Sequence, residues 1–223
     1  MNQETALIRQ RMRTHRAAAI AGIIFSLLLI TSYLLIWISI PANPLGAAAD
    51  VVNHSKTISL AFNLLPFAGI AFLWFIAVVR DRLGELEDRF FATVFLGSGL
   101  LYIAMTFIGA AVAGGIIRIL GSGSETLVQS GGYALGRVEI NQIMQIYATK
   151  MAGVFMISTS TISLQTRIVP RWMAFLGYAL ALLLLLSVGT IQWTPLVFPL
   201  WVLVISLYIL IENLRRQPEG SQS

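Results

Sequence analysis

Cysteine is absent from the chain. That removes disulfides, thiolate metal sites and cysteine nucleophiles from consideration. Charge is scarce too: only 11% of the 223 residues are Asp, Glu, Lys or Arg, against 57% hydrophobic. A soluble globule of this size carries far more charge. No charge falls between Arg16 and Asp50, Lys56 and Arg80, Arg89 and Arg118, or Arg171 and Glu212. Each run reaches the roughly 20 residues that an α-helix needs to cross hydrocarbon.

The groups of common membrane chemistry are thin as well. The two histidines, His15 and His54, stand near opposite membrane edges. They cannot face each other as axial haem ligands. No His-Glu-x-x-His zinc pattern occurs, and Gly97-Ser98-Gly99 is too short to be a nucleophile elbow. No two carboxylates share a span; Glu139 and Glu212 lie at edges. Acid/base hydrolysis and proton-coupled transport therefore lack their usual agents. Asn53-His54-Ser55 fits a glycosylation sequon by chance, in a loop that hugs the membrane. The two halves differ in loop length and polarity, so no inverted repeat is read. The expectation is no enzyme, no catalytic residue, no metal and no cofactor.

What is present is an all-α, polytopic transmembrane helical bundle in a single integral membrane domain, 1–223. Six spans are expected, at about 17–40, 57–79, 90–117, 143–164, 172–190 and 195–212. The first is read as uncleaved, because its apolar segment exceeds the about 7–15 residues of a signal peptide. The longest loop is Gly- and Ser-rich, and from Tyr133 the pattern turns helical. Arg9, Arg11, Arg13, Arg16, Arg80, Arg82, Arg89, Arg167, Arg171, Arg215 and Arg216 fall on one side. Lys56, Arg118 and Arg137 fall on the other. The positive-inside rule places both termini in the cytoplasm, as an even span number requires. The formal charge of +5 thus belongs to orientation, and no nucleic-acid partner is expected. Membrane lipids are the expected partners.

Small residues four apart, such as Ala18/Gly22, Ala110/Gly114, Ala111/Gly115, Ala148/Ala152 and Thr149/Gly153, suit close helix packing. A homo-oligomer face or a membrane complex partner is the alternative use. In the second loop, Glu85 and Arg89 form a helix-supporting i,i+4 pair in a solvated turn.

Lys150 breaks the fourth apolar run. Counted back from Gln165, Thr166 and Arg167, it lies about 7–8 Å below the outer edge, within reach of water by snorkelling. At 100° per residue, Glu139, Gln142, Thr149, Gly153 and Ser160 share an arc of about 80°, with Lys150 and Gln145 at its margins. In span two, Pro66 frees a backbone carbonyl near Asn63, at a similar depth. Tyr33, Tyr102, Thr106 and Tyr178 add hydroxyls where their helices face inward. The expectation is an outward-facing polar cavity for a small ligand or lipid, drawing on Lys150, Asn63, Gln142, Gln145, Thr149 and Tyr102. Snorkelling is the competing account of Lys150.

The stretch Arg167–Leu186, "RIVPRWMAFLGYALALLLLL", and Phe72–Leu101, "FLWFIAVVRDRLGELEDRFFATVFLGSGLL", resemble small six-helix bacterial inner-membrane proteins of unknown function. The resemblance implies six helices in a bacterial plasma membrane, and it carries over no activity or site residue. Three functions stay open: a non-enzymatic membrane protein that binds a ligand or lipid, a small permease or channel component, and a lipid-modifying enzyme.

Overall fold

The computed structural model describes residues 2–39, 52–83, 89–122, 126–166, 169–187, 189, 191 and 193–215. Among them all regular structure is helical. Long apolar segments in lipid must satisfy their backbone groups internally, and the helix does this within one segment.

Helix α1 covers Asn2–Ser39, α2 Ser55–Leu83 and α3 Arg89–Gly121. A four-residue turn, Thr126–Gln129, precedes α4, Gly132–Asn141. A π-helical segment, Gln142–Ala148, joins α4 to α5, Thr149–Thr166, without a break in the chain's helical course. Helix α6 is short, Arg171–Leu186, and a 3₁₀ turn, Thr194–Leu196, opens α7, Val197–Arg215.

Four segments are long and apolar enough to cross a membrane: Ala17–Ser39, Ser55–Arg80, Phe90–Gly121 and Thr194–Arg215. They coincide with the first, second, third and last of the expected spans. The other two expected spans take different forms. One is α5 with its π-helical lead-in, and the other is α6, which has only 16 residues. The fourth helical course starts at Gly132, well before the expected position 143. Glu85, the acidic partner expected for Arg89, lies outside the described residues.

Helix α1 packs between α2 and α7, α3 packs on α2 and α5, and α6 lies along α5. Lighter contacts of α7 with α5 and α6 close the circuit. Its centre is aromatic. Phe72 of α2 is fully buried and stacks on Phe25 of α1 with ring centres 4.4 Å apart. It also meets Phe155 of α5 at 5.1 Å, Phe198 of α7 at 5.6 Å and Tyr102 of α3 at 5.8 Å. One side chain thus joins five helices, in the offset and edge-on geometries that aromatic rings prefer.

The outer surface is apolar as well. Less than half of each candidate span is buried against other helices. Trp74, Phe67, Leu182, Leu183 and Ile108 point outward with large exposed areas. Such a surface suits hydrocarbon, and in water it would be an aggregation liability.

Candidate functional site

At 1.5 Å per residue, α6 is about 24 Å long, against about 30 Å of hydrocarbon. A helix ends with four carbonyls that lack intrahelical partners. In α6 the Ser187 N–H still donates to Leu183 O at 3.0 Å, and then the chain turns away. Lys150 completes the end: its Nζ donates to Leu185 O at 2.6 Å and to Ser187 O at 2.9 Å. The ammonium also sits at the negative pole of the α6 dipole. The lysine is therefore turned inward as a helix cap, and its head is not extended toward the surface as snorkelling expects.

Close packing makes this reach possible. Gly153, one turn below Lys150, lies against Leu185 and the backbone oxygen of Ala181; a Cβ there would approach that oxygen to 3.2 Å. Beyond the α6 end, Gly189 adopts a left-handed backbone (φ 74°). Its open face fits over Ile146 of the π-helical segment. On the opposite side, Met144 of that segment packs onto Gly109 of α3. The π-helical turn is thus wedged between α3 and the α6 exit.

The polar stripe divides at the π-helical segment. Glu139 and Gln142, before or at its start, are exposed, whereas Thr149, Gly153 and Ser160, after it, are buried. An i→i+5 turn holds one residue more than an α turn, so a face counted at 100° per residue loses its phase across it. The buried part packs against α6. Thr149 Oγ1 donates to Met144 O at 3.2 Å. Ser160 Oγ sits in the notch left by Gly177 of α6, beside Trp201 Nε1 of α7. A second serine, Ser206 of α7, fills the notch at Gly22 of α1 in the same way. Neither hydroxyl has a conventional partner. Their seats against glycine Cα atoms suit weak C–H···O contacts, which recur at helix interfaces. Ala18/Gly22 and Thr149/Gly153 are therefore contacts inside the bundle, while Gly114 and Gly115 have nothing within 4 Å.

The six residues of the expected cavity are spread out. Lys150, Gln145 and Thr149 stand near the α6 end; Gln142 is exposed on the α4 side of the π-helical segment; Asn63 is exposed on α2. Tyr102 is elsewhere, buried on α3. Of the further hydroxyls, Tyr178 pairs with Thr161 at 2.7 Å, and Thr106 donates to Tyr102 O at 2.8 Å. The carbonyl pair Leu185 and Ser187 and the notches at Gly22 and Gly177 carry no sequence motif, and only the shortness of α6 hints at the former.

Tyr102 is among the side chains around a small apolar crevice of about 10 Å³ between α1, α2 and α3, room for about one water-sized molecule. Leu29, Leu65, Gly69, Thr106 and Phe107 contribute to its walls. Phe107 is 37% exposed and packs over Gly69. The Tyr102 hydroxyl is buried, with Tyr33 and Thr106 as its polar neighbours. Among the described residues, no three of His, Asp and Glu come together as metal ligands.

Compared with protein-family models, curated proteins and solved structures, the chain matches none of them.

Proposed function

We propose that this chain is a non-enzymatic, six-span protein of the bacterial inner membrane that binds a small apolar ligand or lipid at its apolar outer surface. The observation that carries this reading is a filled aromatic centre beneath a broadly apolar outer surface. Phe25, Phe72, Phe155 and Phe198 close ring against ring where a conducting path would run. Phe67 and Trp74 of α2 are among the large apolar side chains left open on the outer surface. In this reading the π-led α5 and the short, Lys150-capped α6 supply the two remaining spans, and both termini are cytoplasmic.

Three measurements test the reading. Native mass spectrometry of the protein released from nanodiscs is expected to retain a bound lipid or small apolar molecule. Proteoliposomes that pass solutes, with flux lost on substitution within α5, would favour the permease. Alkaline phosphatase fusions after Asp50 and Ser130 are expected to be active, and those after Glu85 and Val169 inactive. The reverse pattern would overturn the topology.

A further inference from the structure

We infer that the open end of α6 is a site for an anionic phospholipid of the outer leaflet, whose phosphate accepts from the Lys150 ammonium and the Ser187 hydroxyl. The inference rests on the lipid-binding reading above and names the class of lipid and the place of its headgroup.

An ammonium carries three donors. Lys150 spends two of them, on Leu185 O and Ser187 O. Among the described residues no acceptor meets the third, and no carboxylate pairs with the charge. The nearest acid along this helical course is Glu139, which is exposed and about 16 Å away at 1.5 Å per residue. Two neutral carbonyls leave the unit charge whole, and a charge within a span is normally paired. Ser187 adds a donor beside it. Its Oγ accepts from the Gly189 N–H at 3.5 Å, and among the described residues no acceptor takes its own proton. Lys150 and Ser187 are both half-buried, so the pair is reached from outside the bundle. Two adjacent donors, one of them charged, match an anion with more than one acceptor oxygen, and a phosphate group is such an anion.

The surroundings favour a lipid as the bearer of that phosphate. Leu186, the last residue of α6, is 71% exposed, and Trp193, just before the 3₁₀ turn, is 63% exposed. That turn packs on the π-helical segment that leads to Lys150. An acyl chain lies along Leu186, while the indole sits at headgroup level, the depth that tryptophan prefers. Helix α6 falls about 6 Å short of the hydrocarbon thickness, and a bilayer meets a short helix by thinning over it. The phosphate thus comes down to the lysine, which stays turned inward as the cap. A zwitterionic headgroup brings its own ammonium close to the phosphate, so a lipid with net negative charge is preferred.

The test uses the full chain in nanodiscs of phosphatidylglycerol and phosphatidylcholine in equal amounts, with the lipids retained on the released protein identified by native mass spectrometry. Wild type is expected to retain one phosphatidylglycerol about tenfold more often than phosphatidylcholine, as one charge-assisted contact provides. Lys150→Gln is expected to bring the two lipids level. Ser187→Ala, which leaves the Lys150 cap in place, is expected to lower phosphatidylglycerol occupancy about threefold, and it remains informative if Lys150→Gln fails to fold. Lys56→Gln removes an exposed cation from the same side of the bundle and is expected to change nothing. Inorganic phosphate at matched ionic strength is expected to leave the lipid in place. A preference that survives Lys150→Gln, or an occupancy unchanged in Ser187→Ala, would overturn the inference. So would an equal loss in Lys56→Gln, which would trace the preference to overall charge. Displacement by inorganic phosphate would overturn the lipid source. Retained lipid without preference for phosphatidylglycerol would overturn the anionic assignment and leave the lipid-binding reading standing. No retained molecule of any kind would overturn both.

Discussion

Replacing Lys150 with methionine separates a helix cap from a snorkelling lysine by the sign of the effect. Methionine keeps the length and apolar stem and removes the charge. It leaves Leu185 O and Ser187 O without the donor they have now. Hydrogen bonds to a charged group contribute about 1.5–3 kcal/mol each, so two amount to roughly 3–6 kcal/mol. Against this, a lysine within a span costs about 2.5–3.5 kcal/mol on insertion scales, and its removal returns that cost. The difference favours the native residue, by about 1–2 kcal/mol near the middle of the range. A lysine extended to the headgroups holds nothing together, and its replacement would be neutral or stabilising. Equilibrium unfolding in mixed micelles, read by circular dichroism against the mole fraction of dodecyl sulfate, measures the difference. Lys150→Arg, which keeps donors and charge on a bulkier head, is expected to fall between wild type and Lys150→Met. A Lys150→Met variant as stable as wild type, or more stable, would refute the capping account.

Two further substitutions probe the packing. Gly22→Val drives a branched side chain into Ser206 and Phe75; it is expected to cost about 1–3 kcal/mol in the same unfolding assay, with part of the loss restored by Ser206→Gly. Phe72→Ala empties the meeting point of five helices. Lipid is as apolar as a protein core, so the transfer contribution falls away and the cavity contribution remains. The expected loss is about 2–4 kcal/mol, and a loss below about 1 kcal/mol would mean that the centre closes up around the gap.

The membrane-spanning character of the chain was legible because charge in hydrocarbon is costly, and the charge-free runs are long. The expected spans that begin near 17, 57, 90 and 195 have clear counterparts among the apolar helices. The charge-free run carries the expected span five to about position 190, but the helix ends at Leu186. Hydropathy cannot mark that end, because an apolar loop residue and an apolar helical residue look alike. The direction of Lys150 is not legible in the sequence. The partners are backbone carbonyls, which every residue has, and no pattern distinguishes Leu185 from Leu183. Thr149, Gly153 and Ser160 were correctly grouped on an inward face. Glu139 and Gln142 share that arc at 100° per residue but are exposed, because nothing in "QIMQIYA" announces a π-helical turn. Asn63 was placed by depth alone, and the face of α2 that carries it is exposed.

The π-helical segment and the short α6 answer each other. A helix that ends packed against its neighbours needs a donor for its last carbonyls, because a following turn does not supply enough. The donor must come from a neighbouring helix, at the right height and facing the right way. Height is fixed by the count from Arg167, which puts position 150 near the level where α6 ends. Direction is a question of phase. Had α4 run into α5 as one regular α-helix, the face packed on α3 through Gly136 and Met144 and the face packed on α6 through Gly153 would stand in a different relation. The additional residue in each π-helical turn rotates everything after it. It allows Met144 to seat on Gly109 while Lys150 turns to the α6 terminus. Segments of this kind are unusual and persist where neighbouring structure requires them. Here the requirement is visible: the wider turn keeps its own packing on α3 and aims the cation that closes α6.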